Sequence, residues 1–252
     1  MSAPEQLESA LRGPGFRQKA ITWIAALSLP VIALGNFSEA VMIVEGSVNR
    51  VVSTFTNIPE YEDLSYLRSG ISPDYAREIF GSSQVNRDLG DGLIAEYYFD
   101  TKYILTLLIR SGEVNAFTVI SLQDGFAPQV FDDLGGPLGE FTFGDLKGMP
   151  GDFVIDWTKN SALYLEIVNL GGGSLNQSAY AGWVNYGVGL DTTGLSNLYK
   201  SVLTDEETET ARSNVRETLA PNLYGWGRLN LSEIRKSILG PTDLAHYLSA
   251  YR

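Results

Sequence analysis

Residues 70–121, GISPDYAREIFGSSQVNRDLGDGLIAEYYFDTKYILTLLIRSGEVNAFTVIS, place the tightest limits on the fold, because almost every position has a local structural reason. Ser72 can cap a helix with its hydroxyl, and Pro73 then falls at the first helical position, where its missing N–H costs nothing. Asp74 sits in the first turn, where negative charge suits the helix dipole. Tyr75, Ala76, Ile79 and Phe80 form an apolar stripe at helical spacing, and Gly81 supplies a left-handed stop. Three runs rich in β-branched and aromatic residues follow, 94–99, 103–109 and 115–121. The turns between them, 100–102 and 110–113, are short and polar, so neighbouring runs pair antiparallel. Residues 88–92, DLGDG, read as the loop into the first strand. Asp and Gly gather in loops for backbone reasons, and Lys102 stands near the place where an EF-hand needs its bidentate Glu.

The chemistry open to the chain is narrow. Its 252 residues are 44% hydrophobic and 11% aromatic, enough for a real core. It has no cysteine, which excludes disulfides and thiolate metal sites. A net charge of −12 with no basic cluster makes a poor nucleic-acid binder. His246 is the one histidine, so a site with two His ligands is impossible. No G-x-S-x-G, H-E-x-x-H or G-x-G-x-x-G pattern occurs, and the glycines at 171–173 lack a P-loop lysine. Carboxylate-pair chemistry of the glycosidase kind remains open, with Asp152, Asp156, Glu166 and Asp191 as candidates, but no spacing singles out a pair. Asp132 and Asp133 read as solvated loop acids. No catalytic residue, metal site or cofactor is assigned.

Residues 1–19 are polar. Residues 20–38, AITWIAALSLPVIALGNFS, then run 19 positions without a charge. As a helix that run is about 28 Å long, close to the bilayer hydrocarbon thickness of about 30 Å. The reading is a membrane anchor over 20–45, with Trp23, Leu27, Leu29, Pro30, Ile32 and Leu34 as its anchoring residues. Trp23 falls near one end, where indole favours the interface. Pro30 is tolerated in a spanning helix. A cleaved signal peptide, with 38–40 as its site, and a buried soluble helix are the alternatives. Arg12, Arg17 and Lys19 precede the run and Arg50 alone follows closely, which puts the N-terminus in the cytoplasm. Residues 1–50 balance four acids with four bases, so the whole −12 belongs to the part beyond.

The expected organisation is a tail over 1–19, the anchor over 20–45, a helix–meander module over 51–121, a Pro/Gly/Asp-rich connector over 122–139 and an aromatic β-rich, then helical, region over 140–252. A polar helix over 61–68 precedes the capped one. Strands are expected over 141–143, 153–157, 163–168 and 179–188. Helices return after Gly194, with caps at Thr204 (a box with Glu207), Ser232 and Thr242. The fold class is α+β: an N-terminal transmembrane helix, short helices packed on an antiparallel sheet, and a helical C-terminal region. Tyr164, Tyr180, Trp183, Tyr186, Tyr224 and Trp226 crowd the second half. Such aromatics can form a binding face or fill a β-core.

Residues 60–121, through SGISPDYAREIFGSSQVNRD and AEYYFDTKYILTLLIRSGEVNAFTVIS, resemble the helix–meander module of small bacterial envelope lipoproteins of the SmpA/OmlA type, which are binding modules. This chain lacks their lipobox cysteine, so the resemblance implies attachment by helix instead of lipid. From Ala20 onward it also resembles a family of uncharacterised bacterial single-pass membrane-anchored proteins. The pattern runs through Tyr61, Leu67, Gly70, Phe80, Gly81 and Tyr98, then LYLEIVNLGG and the stretch from Arg216 to Tyr224. The resemblance implies the bacterial inner membrane, with the C-terminal domain periplasmic or extracytoplasmic. The expected function is a non-catalytic binding or accessory-subunit protein of an envelope complex. Its partners are the lipid bilayer through 20–45 and another membrane or envelope protein, with no nucleic acid. The alternatives are an envelope carboxylate-pair hydrolase acting on glycans and a soluble ligand-binding sensor.

Overall fold

The computed structural model describes residues 56–129, 135–169, 177–189 and 192–250. The chain divides into two compact units, 1–60 and 61–252. Of the first, the described residues are 56–60, which include the start of helix α1 (Ile58–Ser65). The second holds α2 (Pro73–Phe80), β1 (Val85–Gly90), β2 (Leu93–Phe99), β3 (Tyr103–Arg110), β4 (Glu113–Ser121), β5 (Met149–Trp157), β6 (Ala162–Asn169), β7 (Ser178–Val184), α3 (Thr193–Thr204), α4 (Thr208–Thr218), β8 (Leu223–Gly227), α5 (Leu231–Ser237) and α6 (Pro241–Ala250). The strands form one eight-stranded sheet in the order β1-β2-β3-β4-β8-β7-β6-β5. Each adjacent pair is antiparallel. Two four-stranded meanders therefore meet where β4 pairs with β8.

Local chemistry explains the first meander. Ser72 Oγ accepts the Tyr75 N–H at 3.2 Å, which caps α2 ahead of Pro73. Ser111 and Gly112 both have positive φ, 56° and 80°, the two-residue turn whose twist suits a right-handed hairpin. Residues 88–90, expected as part of the loop into the first strand, belong to β1 instead. Its Asn86, Arg87 and Asp88 hide the strand, because an edge strand shows one flank to water and carries charges that discourage further pairing.

The expected α+β arrangement, with its helical C-terminal region, is corrected. The described residues are organised by one antiparallel eight-stranded sheet, and β8 runs through its centre from within the supposedly helical region. Among the described residues no helix is long and apolar enough to cross a membrane. The run over 20–45 lies outside them. β8 escapes a sequence reading because LYGWG is short and two-fifths glycine. Those glycines are required. A Cβ at Gly225 would stand 2.4 Å from the Phe117 carbonyl oxygen, and one at Gly227 2.3 Å from Ala116 Cβ. Smaller corrections follow the same logic. The expected strand over 141–143 gives way to a 3-10 turn, Phe143–Asp145, capped reciprocally by Thr142 and Asp145. Thr204 ends α3 instead of capping α4, and Asn230, not Ser232, caps α5 with Glu233 as its box partner.

Alternation along the strands divides the core by face. Leu93, Ala95, Tyr97, Ile104, Leu108, Ile120, Leu163, Leu165, Tyr180 and Leu223 share one face with Ile234 of α5 and Leu244 of α6. The other face is covered in two halves: Leu64, Leu67 and Ala76 lie over the first meander, and Leu195, Leu198 and Val215 over the second. Phe141 and Trp226 pack against both halves. Helix α5 touches β1 at one edge of the sheet and β5 and β6 at the other, so the sheet bends around it. Two phenols inside the bend donate to carbonyls of this segment: Tyr97 Oη to Ser237 O at 2.9 Å and Tyr180 Oη to Leu229 O at 2.5 Å. Ile234→Ala should cost about 2–5 kcal/mol in urea unfolding, with the whole sheet lost in one step. A cost below about 0.5 kcal/mol, the range of surface substitutions, would contradict the central position of α5.

Candidate binding faces

Each meander buries a glutamate beside a tyrosine on its second strand. On β6, Glu166 is fully enclosed. Tyr164 Oη donates to Glu166 Oε2 at 2.8 Å, Arg212 Nη2 lies 3.3 Å from the same oxygen, and Arg216 donates to Oε1. Arg212 and Arg216 stand four apart, on one face of α4. Arg212 also donates to Gly151 O at 2.7 Å and lies 4.6 Å over the Phe153 ring, while Arg216 donates to Phe143 O at 2.7 Å. On β2, Glu96 accepts Arg77 Nη2 at 2.5 Å and Tyr98 Oη at 2.9 Å. A buried carboxylate is tolerable only when paired and hydrogen-bonded, and both are. The two clusters tie α2 and α4 to the sheet.

The sequence candidates for acid–base chemistry are not brought together. Glu166 points to the α4 face, whereas Asp156 is held on the α5 face by Arg235, at 2.6 Å and 2.8 Å. The sheet lies between them. Asp152 is exposed, and Asp191, Asp132 and Asp133 lie outside the described residues. His246 is exposed on α6, its ring 5.8 Å from that of Tyr247.

The six singled-out aromatics are spread over both faces. Tyr164 and Trp183 are buried under α3 and α4, with Trp183 Nε1 donating to Gly189 O at 3.0 Å. Tyr180 is buried on the α5 face and Tyr224 under α1 and α2, its ring edge-on to Phe117. Trp226 is half-buried at the meander junction and donates to Gln177. Tyr186 is half-buried at the margin of the α5-side core.

Two concavities are larger than the gaps of ordinary packing. A groove of about 660 Å³ runs between α3 and α4, lined by Asn197, Lys200, Thr204, Glu207, Thr210 and Asn214 among others. Asp205 and Glu207, at its end, hold φ of 56° and 53°. The sequence reading passed over this groove. The signal was there: polar residues recur at helical spacing along α3 and α4, opposite the stripe of Leu195, Leu198 and Val215 that the core uses. A second cavity, of about 260 Å³, opens between the ends of β6 and β7 and the α5–α6 junction, against Leu163, Val184, Tyr186, Arg235, Lys236 and Leu239. It falls below the roughly 300 Å³ expected of a drug-sized ligand site.

No family model matches the chain, and no curated protein matches it. Among solved structures it is similar to a cysteine-rich secretory protein from Staphylococcus aureus subsp. aureus Mu50, at 7% identity and a TM-score of 0.33, over 63% of this chain and 44% of that one. It is also similar to an extracellular protein containing a SCP domain from Bacillus anthracis str. Ames, at 8% identity and a TM-score of 0.35, over 67% and 52%. The chain thus spans about half the length of each. Neither likeness bears on what it does.

Burial pushes several phenols above their ordinary value. Tyr97 rises to about 12, and Tyr98, Tyr164, Tyr180, Tyr186 and Tyr224 rise further; the neighbouring Glu96 and Glu166 add to the shift at Tyr98 and Tyr164. A raised phenol stabilises the fold fully below the unfolded value of about 10, and that stability is lost as pH climbs through the folded value. Phenolate absorbance at 295 nm should therefore show these groups ionising together with loss of far-ultraviolet circular dichroism, above about pH 10. Ionisation of all the tyrosines below that point, with the sheet intact, would contradict their burial.

Proposed function

We propose that the chain is a non-catalytic binding or accessory domain of a bacterial envelope complex, held at the membrane by the apolar run 20–45, with the α3–α4 groove as its contact face. The groove carries this reading. It is open, its lining is mostly neutral and polar, and Glu206 and Glu207 outweigh the single Lys200 in it. A polar, solvent-accessible lining of this kind is the composition of the rim of a non-obligate protein interface. The acidic rim suits a basic segment of the partner. The carboxylate-pair hydrolase has less support, since Glu166 and Asp156 face opposite sides of the sheet and each is held by arginine.

A photo-crosslinking residue placed at Asn197 or Thr210 in cells should trap a discrete adduct that stays with membranes through alkaline carbonate extraction. Glu207→Lys should reduce it about tenfold or more, as expected when like charge replaces a complementary one. An equal adduct from the exposed control position Glu113 would contradict the groove, and release into the carbonate supernatant would contradict the membrane attachment.

A further inference from the structure

The walls of the α3–α4 groove carry a repeat. Asn197, Lys200, Ser201 and Thr204 line it from α3, and Glu207, Thr210, Ala211 and Asn214 from α4. Both sets follow the spacing i, i+3, i+4, i+7, which is one stripe along each helix. Residues 205–207 join the helices, and Gly194 at the start of α3 meets Val215 and Thr218 near the end of α4. The helices therefore run antiparallel, and the two stripes face each other over about 10 Å, two helical turns. The groove is held at both ends. Ser201 O accepts the N–H groups of Asp205 and Glu206 and, at 3.1 Å, the Thr208 hydroxyl. At the far end a Cβ on Gly194 would stand only 3.1 Å from Val215 Cγ2. Charge is concentrated at one end: Glu206 and Glu207 stand at the turn, whereas Asn197 and Asn214 opposite them are neutral.

We propose that the groove takes one α-helix of the partner, a polar helix with Lys or Arg over the acidic turn; this rests on the contact face proposed above. A third helix has the same pitch as α3 and α4, so it meets both stripes in register over their two turns. An extended segment repeats every two residues and matches neither stripe. It would also find no backbone to pair with, because the N–H and C=O groups of a helix interior are already bonded to one another. Ser201 and Ala211, at the middle of the stripes, are small enough to let a helix axis approach to the usual 8–10 Å. The Glu206–Glu207 end fixes where the basic residues of that helix lie. A groove already held at both ends spares the partner the cost of shaping it.

Positions 197 and 204, both in the groove, serve as a ruler. A photo-crosslinking residue is placed at each in turn in the full chain in cells, and the partner residue it traps is identified by sequencing the crosslinked peptide. The two trapped residues should fall in one segment, about six to eight positions apart, since seven helical residues span about 10 Å. A Lys or Arg should lie within about one turn of the residue trapped from position 204. Proline at the middle of the trapped segment should reduce the adduct about tenfold or more, and alanine there should leave it within about twofold. An extended partner would instead place the two residues about three apart, at about 3.3 Å per residue. A separation of five or fewer, trapped residues in separate segments, no basic residue near the turn, or an adduct indifferent to proline would each overturn the helix while leaving the contact face standing. No adduct from either position would overturn the contact face, and this inference with it.

Discussion

Helix α5 is the element around which the sheet is bent. It reaches strands at both edges of the sheet, and Ile234 is wholly enclosed in the concave core. The phenols of Tyr97 and Tyr180, one from each meander, donate to carbonyls at either end of this segment. An isolated helix of seven residues has no stability of its own. It exists because the sheet surrounds it, and the sheet keeps its curvature because α5 fills it. The β4–β8 seam has a requirement of its own. It joins strands about a hundred positions apart in the chain, and Gly225 and Gly227 let the backbones approach where any side chain would collide. Such non-local pairing gains nothing until the late part of the chain arrives.

The buried charges fit into this frame as struts. Glu96 and Glu166 occupy positions where an apolar residue would serve the core; Glu96 recruits one arginine from the helix above and Glu166 two, and each also recruits a tyrosine two residues away on its own strand. The pairs cost desolvation and return geometry, since a guanidinium held at a fixed carboxylate fixes the helix that carries it. The clusters come in opposite sequence order, Glu-x-Tyr on β2 and Tyr-x-Glu on β6. Two meanders joined at their last strands look alike in space without an internal repeat in the sequence.

What could be read from the residues was whatever local chemistry decides. The Ser72–Pro73 cap, the strands β2 to β4, the turn at Ser111–Gly112 and the strand β6 follow from propensity and turn rules over a few residues. β1 and β8 do not, because an edge strand tolerates Arg and Asp, and a strand at a tight seam demands glycine. The caps at Thr204 and Ser232 misled for a similar reason: several Ser, Thr and Asn stood close together, and packing, not propensity, chose among them. The aromatics of the second half were legible as a group. Their division between two faces depends on strand register, and register is fixed by pairings that no local pattern reveals. The α3–α4 groove was legible in principle from its polar periodicity.

The buried charges are internal supports, and recognition belongs to an exposed face. Replacing Glu166, Arg212 and Arg216 by methionine and Tyr164 by phenylalanine in one protein separates those roles. Substituting a buried ion cluster by apolar groups of similar volume is often neutral or stabilising. The expected result is a folded protein whose unfolding free energy is equal or higher and whose groove still yields its crosslinked adduct. A protein that folds with the same stability but no longer forms the adduct would show that these charges belong to function, and would contradict the account.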